Sequence, residues 1–404
     1  MNPVSENPLP DYADALKQVL AIVRPRDQPE STPLRESLRR ILAEPIIADR
    51  DLPPFNRAQM DGYAVRASEV GKIESWPIVG TVAAGQSGCD ISIPPGHCIK
   101  IATGAPLPDD VDTVIQHEHS DRSDPVRFTI SEMNQGHAVH PRGADAGKGD
   151  TLIQPGTVLK AHHLGILAVA GKKIVSVMKR PQVSVLASGD EIVPVGDPVE
   201  IHQIRNSNGP QTDALLRKFG ADPLGNTIVP DDLPETIRHL GESLEKSDLV
   251  VTLGGVSAGE RDYFPPALKH HGVKAALTGA AIQPGKPIRI GLAPSGCIVV
   301  CLPGNPVSCL VCSVLFIWPI VRIMLGLDPS LPWQEVQLAE SARPNPRRRA
   351  FRPARLESNS RVVIPPWAGS GDLVHTATTH GIVELPIQNT PVEIGRSLRF
   401  LPWP

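Results

Sequence analysis

Between residues 180 and 327 the chain alternates short apolar runs with helical patterns. Strand-like runs at 183–187, 249–253, 288–292 and 298–302 are interleaved with helices at 210–219 and 263–271, and a long apolar helix follows. Such alternation predicts a three-layer α/β domain with a mostly parallel sheet. Right-handed crossovers then bring the strand C-termini to one edge, where open α/β sheets bind ligands. Two segments at that edge, 251–263 with Gly254, Gly255 and Ser257, and 301–308 with Gly304, Asn305 and Ser308, run a strand into a glycine turn and a helix. Amides at such turns and the helix macrodipole favour an oxyanion. Between them, Ile282-Gln-Pro-Gly-Lys-Pro287 sets Lys286 beside a turn of the same kind.

The flanking segments differ in texture. Residues 11–23 read as a helix with Leu16, Val19, Leu20 and Val23 on one face, and Leu34, Leu38, Ile41 and Leu42 repeat at helical spacing until Pro45. Short apolar segments broken by Gly and Pro at 50–143 predict a small β domain, and 161–170 a helix. Short strands resume at 336–404 as a barrel or meander. The reading is multidomain α/β: 1–50 plus 145–178 form a mixed helical linking or dimerisation domain, 51–144 an inserted β domain, 179–327 the α/β domain and 328–404 a C-terminal β-barrel-like domain.

Composition excludes several classes of function. A formal charge of −3 over 404 residues argues against duplex nucleic acid, and 4% aromatic residues argue against base stacking. The first eight residues have no basic n-region or apolar h-region, so no secretion signal and a cytoplasmic setting are expected. Six cysteines are too few for a disulfide scaffold. Cys309-x-x-Cys312 lies inside the apolar run 307–325, which predicts buried thiols rather than a metal or redox motif. Pro319 and Arg322 within that run point to a helix buried between domains or subunits, not in a bilayer.

Carboxylates accompany the anion turns. Glu191 follows the first strand, and Asp231 and Asp262 fall at the same edge. Acids facing an anion pocket repel it unless a hard cation such as Mg²⁺ bridges them, although capping and turn formation explain Asp190, Asp231 and Asp262 equally simply. Lys286, held between Gly285 and Pro287, neutralises an oxyanion or is a surface lysine. Ser308 satisfies a first-turn amide or faces the anion, and Ser370 in Gly369-Ser-Gly371 is a donor or a plain turn residue. Arginines 343, 347, 348, 349, 352 and 355 form a solvated strand face, or supply one or two bidentate anion ligands. In the inserted domain Asp61 and Thr103, together with Asp145 just past its end, are expected to wall a cleft and hydrogen-bond an N–H-rich heterocycle. The thirteen histidines show no metal-ligand spacing.

Met60-Asp-Gly-Tyr-Ala-Val65, Thr103-Gly-Ala-Pro106, Ser188-Gly-Asp-Glu191, Thr252-Leu-Gly-Gly-Val-Ser257, Pro284-Gly-Lys-Pro287 and Leu302-Pro-Gly-Asn-Pro-Val-Ser308, in this order over almost the whole chain, resemble the MoeA family of molybdopterin molybdenumtransferases, which includes the gephyrin E domain. The resemblance implies a homodimer of four-domain subunits whose 179–327 domain binds molybdopterin. It implies insertion of molybdate into adenylylated molybdopterin with release of AMP and Mg²⁺ assistance, and molybdopterin adenylyltransferase and molybdoenzymes as partners. By motif, Asp61, Thr103 and Asp145 resemble pterin-side or catalytic residues, and Glu191, Asp231 and Asp262 an acidic, metal-linked group of which Glu191 and Asp262 are also catalytic. Gly254, Gly255, Ser257, Lys286, Pro287, Gly304, Asn305, Ser308, Arg348 and Ser370 resemble the binding pocket, with Lys286 also catalytic. The family usually carries lysine where this chain has Gln283, and another near Gly279. The alternative is a non-catalytic cofactor carrier or scaffold; a related nucleotide-processing enzyme fits the flanking domains less well.

Overall fold

Six strands form the central sheet of the computed structural model, in the order Asp222–Val229, Gln182–Ser188, Leu249–Leu253, Ile298–Leu302, Arg289–Leu292 and Lys274–Leu277. The first four are mutually parallel, the fifth runs antiparallel to them, and the sixth, antiparallel to the fifth, shares their direction. The structure describes residues 8–87, 91–256, 262–357 and 360–404. It divides into one unit of residues 1–30 with 178–404 and another of 31–177.

Along the central strands alternate residues face opposite layers. Leu186, Val250, Val299 and Cys301 pack with Leu240 and Leu244 of helix Leu233–Lys246 and with Phe264 and Ala267 of helix Phe264–His270. Val185, Val251 and Val300 point the other way and are equally buried. Helix Asn208–Phe219 packs against the chain from Pro306 on. That apolar run is helical over Pro306–Met324, with a π-helical stretch at Ser313–Ile317. The wider turn comes just before Pro319, whose missing N–H and ring an α-helical ladder would not accommodate. Among the described residues it is the one helix long and apolar enough to cross a membrane, and 83% of it is buried within the protein. The thiols of Cys309 and Cys312 lie inside it, and burial pushes that of Cys309 up to about 11.

The C-terminal segment closes into a five-stranded barrel. Gln334–Leu338 pairs with Ser397–Pro402, which pairs with Gly381–Leu385, then Arg349–Leu356, then Arg361–Val363, which returns in parallel to the first. Strand Ile282–Gln283 of the α/β layer runs parallel to Arg349 and Ala350 of the barrel. Helix Tyr12–Ile22 belongs to this same unit: Tyr12 meets Phe316 and Phe351 edge-on, and its hydroxyl donates to the Leu315 carbonyl. The sequence reading had grouped this helix with 145–178.

In the 31–177 unit, strands Ile78–Val82, Cys98–Ile101, Gly62–Val65 and Thr113–Gln116 form a four-stranded sheet in that order. A separate core joins Leu42, Ile46, Ile153, Leu159, Leu167, Val175 and Val177. The helix expected over 34–42 does not form. A short 3-10 turn at Leu34–Glu36 is followed by Arg39 at φ 63°, and Ile41 and Leu42 bridge to Val158 and Val177. Tertiary pairing of these apolar residues overrides their helical spacing.

Candidate functional site

The C-terminal edge of the parallel strands opens into a cleft of about 840 Å³. Ser188, Gly189 and Glu191 line it from the first strand, Asp231 from the edge strand's exit, Gly254 and Gly255 from the central strand, and Gly304 and Asn305 from its neighbour. Asp262 and Pro287 also line it. The glycines are needed. Gly254 and Gly255 have φ of 86° and 64°, and a Cβ on Gly255 would lie 2.9 Å from the Phe264 ring. Ser257 lies outside the described residues.

The acids divide by role. The Ser188 hydroxyl donates to Asp231 at 2.9 Å, and the Asp231 amide donates to Asp190 at 3.1 Å, so these two fasten the strand exits to each other. Asp232 caps helix Leu233–Lys246 by accepting from the Glu235 amide at 3.0 Å. Glu191, Asp231 and Asp262 share the cleft, yet among the described residues no three His, Cys, Asp or Glu side chains are gathered as a metal cage. Mg²⁺ needs no such cage, since it commonly takes one or two carboxylates and completes its octahedron with water and substrate phosphate.

A second cavity of about 370 Å³ adjoins the first and shares Pro287, Pro303 and Asn305 with it. Its other walls are Gln283, Pro284, Gly285, Lys286, Ser308, Arg348, Trp367, Gly369 and Ser370, with no carboxylate among them. The loop carrying Ser370 is tied to the helix start: Asn305 Nδ2 donates to Ser370 Oγ at 2.9 Å, and the Val307 amide donates to the Ser370 carbonyl at 3.0 Å. That first-turn amide of the helix is therefore spent on the loop. The buried Ser308 side chain takes the place at the cavity.

Within the arginine cluster, the side chains go to different surroundings. Arg348 lines the small cavity. Arg349 grips Asp11 through Nε at 2.9 Å and Nη2 at 2.7 Å, and reaches Glu384 at 2.8 Å. Its hydrogen bonds hold the Asp11 carboxyl below its usual range. The Arg352 guanidinium stacks on Trp367 at 4.1 Å, and burial, with Arg348 nearby, pulls it down to about 10. Arg355 pairs with Glu357, Arg343 lines a separate cavity, and Arg347 is exposed.

In the 31–177 unit, Thr103 donates its amide (2.7 Å) and hydroxyl (3.0 Å) to Asp61, holding that carboxyl below its usual range. Asp145 instead meets His140 at 2.9 Å. Two residues that the sequence reading passed over also shape the site. Asn208 of helix Asn208–Phe219 lines the cleft and donates to the Gly304 carbonyl at 2.7 Å, and Trp367 walls the small cavity. The sequence signal for Asn208 was its place at a helix start; Trp367 had none beyond its nearness to Gly369.

Two family models match the chain. One, the MoeA N-terminal region (domain I and II), covers residues 11–171; the other, described as "Probable molybdopterin binding domain", covers 184–323. A molybdopterin molybdenumtransferase of Staphylococcus aureus is 32% identical over 396 residues, covering 94% of this chain and 92% of that protein. Another from Synechocystis is 31% identical over 375 residues, covering 91% and 93%. The crystal structure of a molybdopterin biosynthesis MoeA protein from Pyrococcus horikoshii superposes with a TM-score of 0.84 at 28% identity, covering 98% of this chain and 99% of that one. With both family models, relatives above 30% identity that span more than nine-tenths of it, and the shared fold in agreement, the chain belongs to the MoeA family of molybdopterin molybdenumtransferases, enzymes of molybdenum cofactor biosynthesis.

Proposed function

We propose that this chain inserts molybdate into adenylylated molybdopterin and releases AMP. One observation carries the reading: a carboxylate-free cavity bearing Lys286 and Arg348 shares a wall with a larger cleft lined by Glu191, Asp231 and Asp262. The small cavity suits a tetrahedral dianion. Two fixed cations balance its charge, and the Ser308 and Ser370 hydroxyls supply directional donors. The large cleft suits the phosphoanhydride and pterin of the second substrate. Its carboxylates repel a bare pyrophosphate; Glu191, Asp231 and Asp262 would be the residues to hold a Mg²⁺, which would supply charge neutralisation for the phosphoanhydride. Placing molybdate at the shared wall brings the two reactants into one site.

The domain division given above, a homodimeric state, and docking to molybdopterin adenylyltransferase and to recipient molybdoenzymes belong to the same proposal. So does pterin-side service by Asp61, Thr103 and Asp145, contributed in the dimer by a second subunit. Support for these comes from the family's motifs. Sedimentation of the purified chain tests the dimer.

The decisive assay supplies adenylylated molybdopterin, Mg²⁺ and molybdate, and follows AMP release together with cofactor formation. Turnover is expected, and Lys286→Ala lowers molybdate affinity about tenfold or more, as the loss of a charge-assisted hydrogen bond worth roughly 1.5–3 kcal/mol requires. Binding of both substrates without AMP release would overturn the transferase reading in favour of a carrier.

A further inference from the structure

Gln283 and Asn345 form a directed hydrogen-bond chain beside the small cavity. Asn345 Oδ1 accepts from the backbone amides of Arg347 at 2.8 Å and Arg348 at 3.0 Å, and its Nδ2 donates to Gln283 Oε1 at 2.8 Å. A backbone N–H can only donate, so the Asn345 oxygen must face the arginine loop and its nitrogen must face Gln283. Gln283 in turn must present its oxygen to Asn345. Its amide nitrogen is thereby turned away from Asn345, and among the described residues no hydrogen bond occupies it. Gln283 lines the same cavity as Lys286, Ser308, Arg348 and Ser370.

We propose that Gln283 is a specificity-determining residue, a neutral N–H donor to the bound tetrahedral oxyanion, and that Asn345 is the positioning residue that aims both Gln283 and Arg348. The inference rests on reading the small cavity as the oxyanion seat and adds the division of labour within it. Lys286 and Arg348 supply two positive charges, which match a dianion. Gln283 adds a directional contact without a third charge. A neutral donor rewards the geometry of the oxyanion rather than its charge alone, so the seat discriminates between anions of equal charge and different size. The chain also explains why the pair is matched. An ammonium group at 283 has no acceptor to offer Asn345 Nδ2, whereas an amide serves Asn345 with one end and the ligand with the other.

Titration calorimetry of the purified full chain with sodium molybdate, and separately with sodium sulfate, tests this. Gln283→Glu keeps the acceptor for Asn345, removes the donor and adds a negative charge. It is expected to weaken molybdate binding by on the order of tenfold with an unchanged melting temperature. Gln283→Ala, which removes the donor without adding charge, is expected to weaken binding about threefold. Gln283→Lys is expected to steepen the salt dependence of binding and to narrow the molybdate-to-sulfate preference. Asn345→Ala should weaken molybdate binding and raise KM for molybdate while kcat stays within about twofold; a structural role alone would lower the melting temperature without this split. Parent-like molybdate affinity in both Gln283→Glu and Gln283→Ala overturns the donor assignment. Lys286→Ala run in parallel separates the two failures. If it loses binding while the Gln283 variants do not, only the role of Gln283 falls; if the parent chain binds no oxyanion, the seat itself falls.

Discussion

Gly285 sits beside Lys286 in the turn that walls the small cavity, with φ at 108°. A Cβ there would collide with the Cys312 sulfur on the buried helix. Glycine is therefore demanded twice, by backbone conformation and by the close approach of the helix. Gly285→Ala is expected to cost roughly 1–3 kcal/mol in urea unfolding, from overpacking and left-handed strain. Its molybdate affinity should fall as well, because Lys286 is displaced with the turn. Sequence alone identified Lys286 from its neighbours, yet it left the arginine undetermined among 347, 348 and 349. Three adjacent residues of one chemistry carry no internal signal. The strand beginning at Arg349 commits that side chain to Asp11 and Glu384, and Arg348 lines the cavity.

Among the elements, legibility followed burial. The parallel strands Leu249–Leu253 and Ile298–Leu302 are buried throughout and read as unbroken apolar runs, so their places were evident. The edge strands Asp222–Val229 and Lys274–Leu277 were not anticipated. The first carries Asp222, Pro223, Gly225 and Asn226 and is mostly exposed, so no alternation marks it. The 34–42 segment misled in the opposite direction, because its helical spacing serves a loop threaded into a core of later residues. Helix Leu233–Lys246 shows local and tertiary signals in agreement. Asp232 caps it, Pro234 lies in its first turn, and Leu240 and Leu244 face the sheet core. Asp232→Ala is expected to destabilise the protein by about 1 kcal/mol in chemical denaturation, with the cleft acids untouched.

At the scale of the whole molecule, the ion pair of Asp11 with Arg349 spans the greatest stretch of sequence among those of the described residues. Asp11, at the start of helix Tyr12–Ile22, is held by Arg349 of the barrel. The arginine lowers the carboxyl's pKa in the folded state, so the folded protein binds this proton less readily than the unfolded chain. The pair's stabilisation is therefore fully present above the unfolded value near ~4 and is lost as pH falls through the lower folded value. Melting temperatures measured between about pH 5 and pH 2 should fall less steeply for Asp11→Asn than for the parent. Equal slopes would show that the pair is immaterial to acid stability.

The small cavity takes Gln283, Lys286 and Ser308 from one domain and Arg348, Trp367 and Ser370 from another, stitched by two residues of parallel strand at Ile282–Gln283 and by the Asn305–Ser370 bond. Neither parent fold owns the cavity. The larger cleft borrows from the same segment, through Gly371, Asp372, Leu373 and Val374, so on the proposed reading loosening of the barrel would disturb capture of the inorganic reactant and seating of the organic one together.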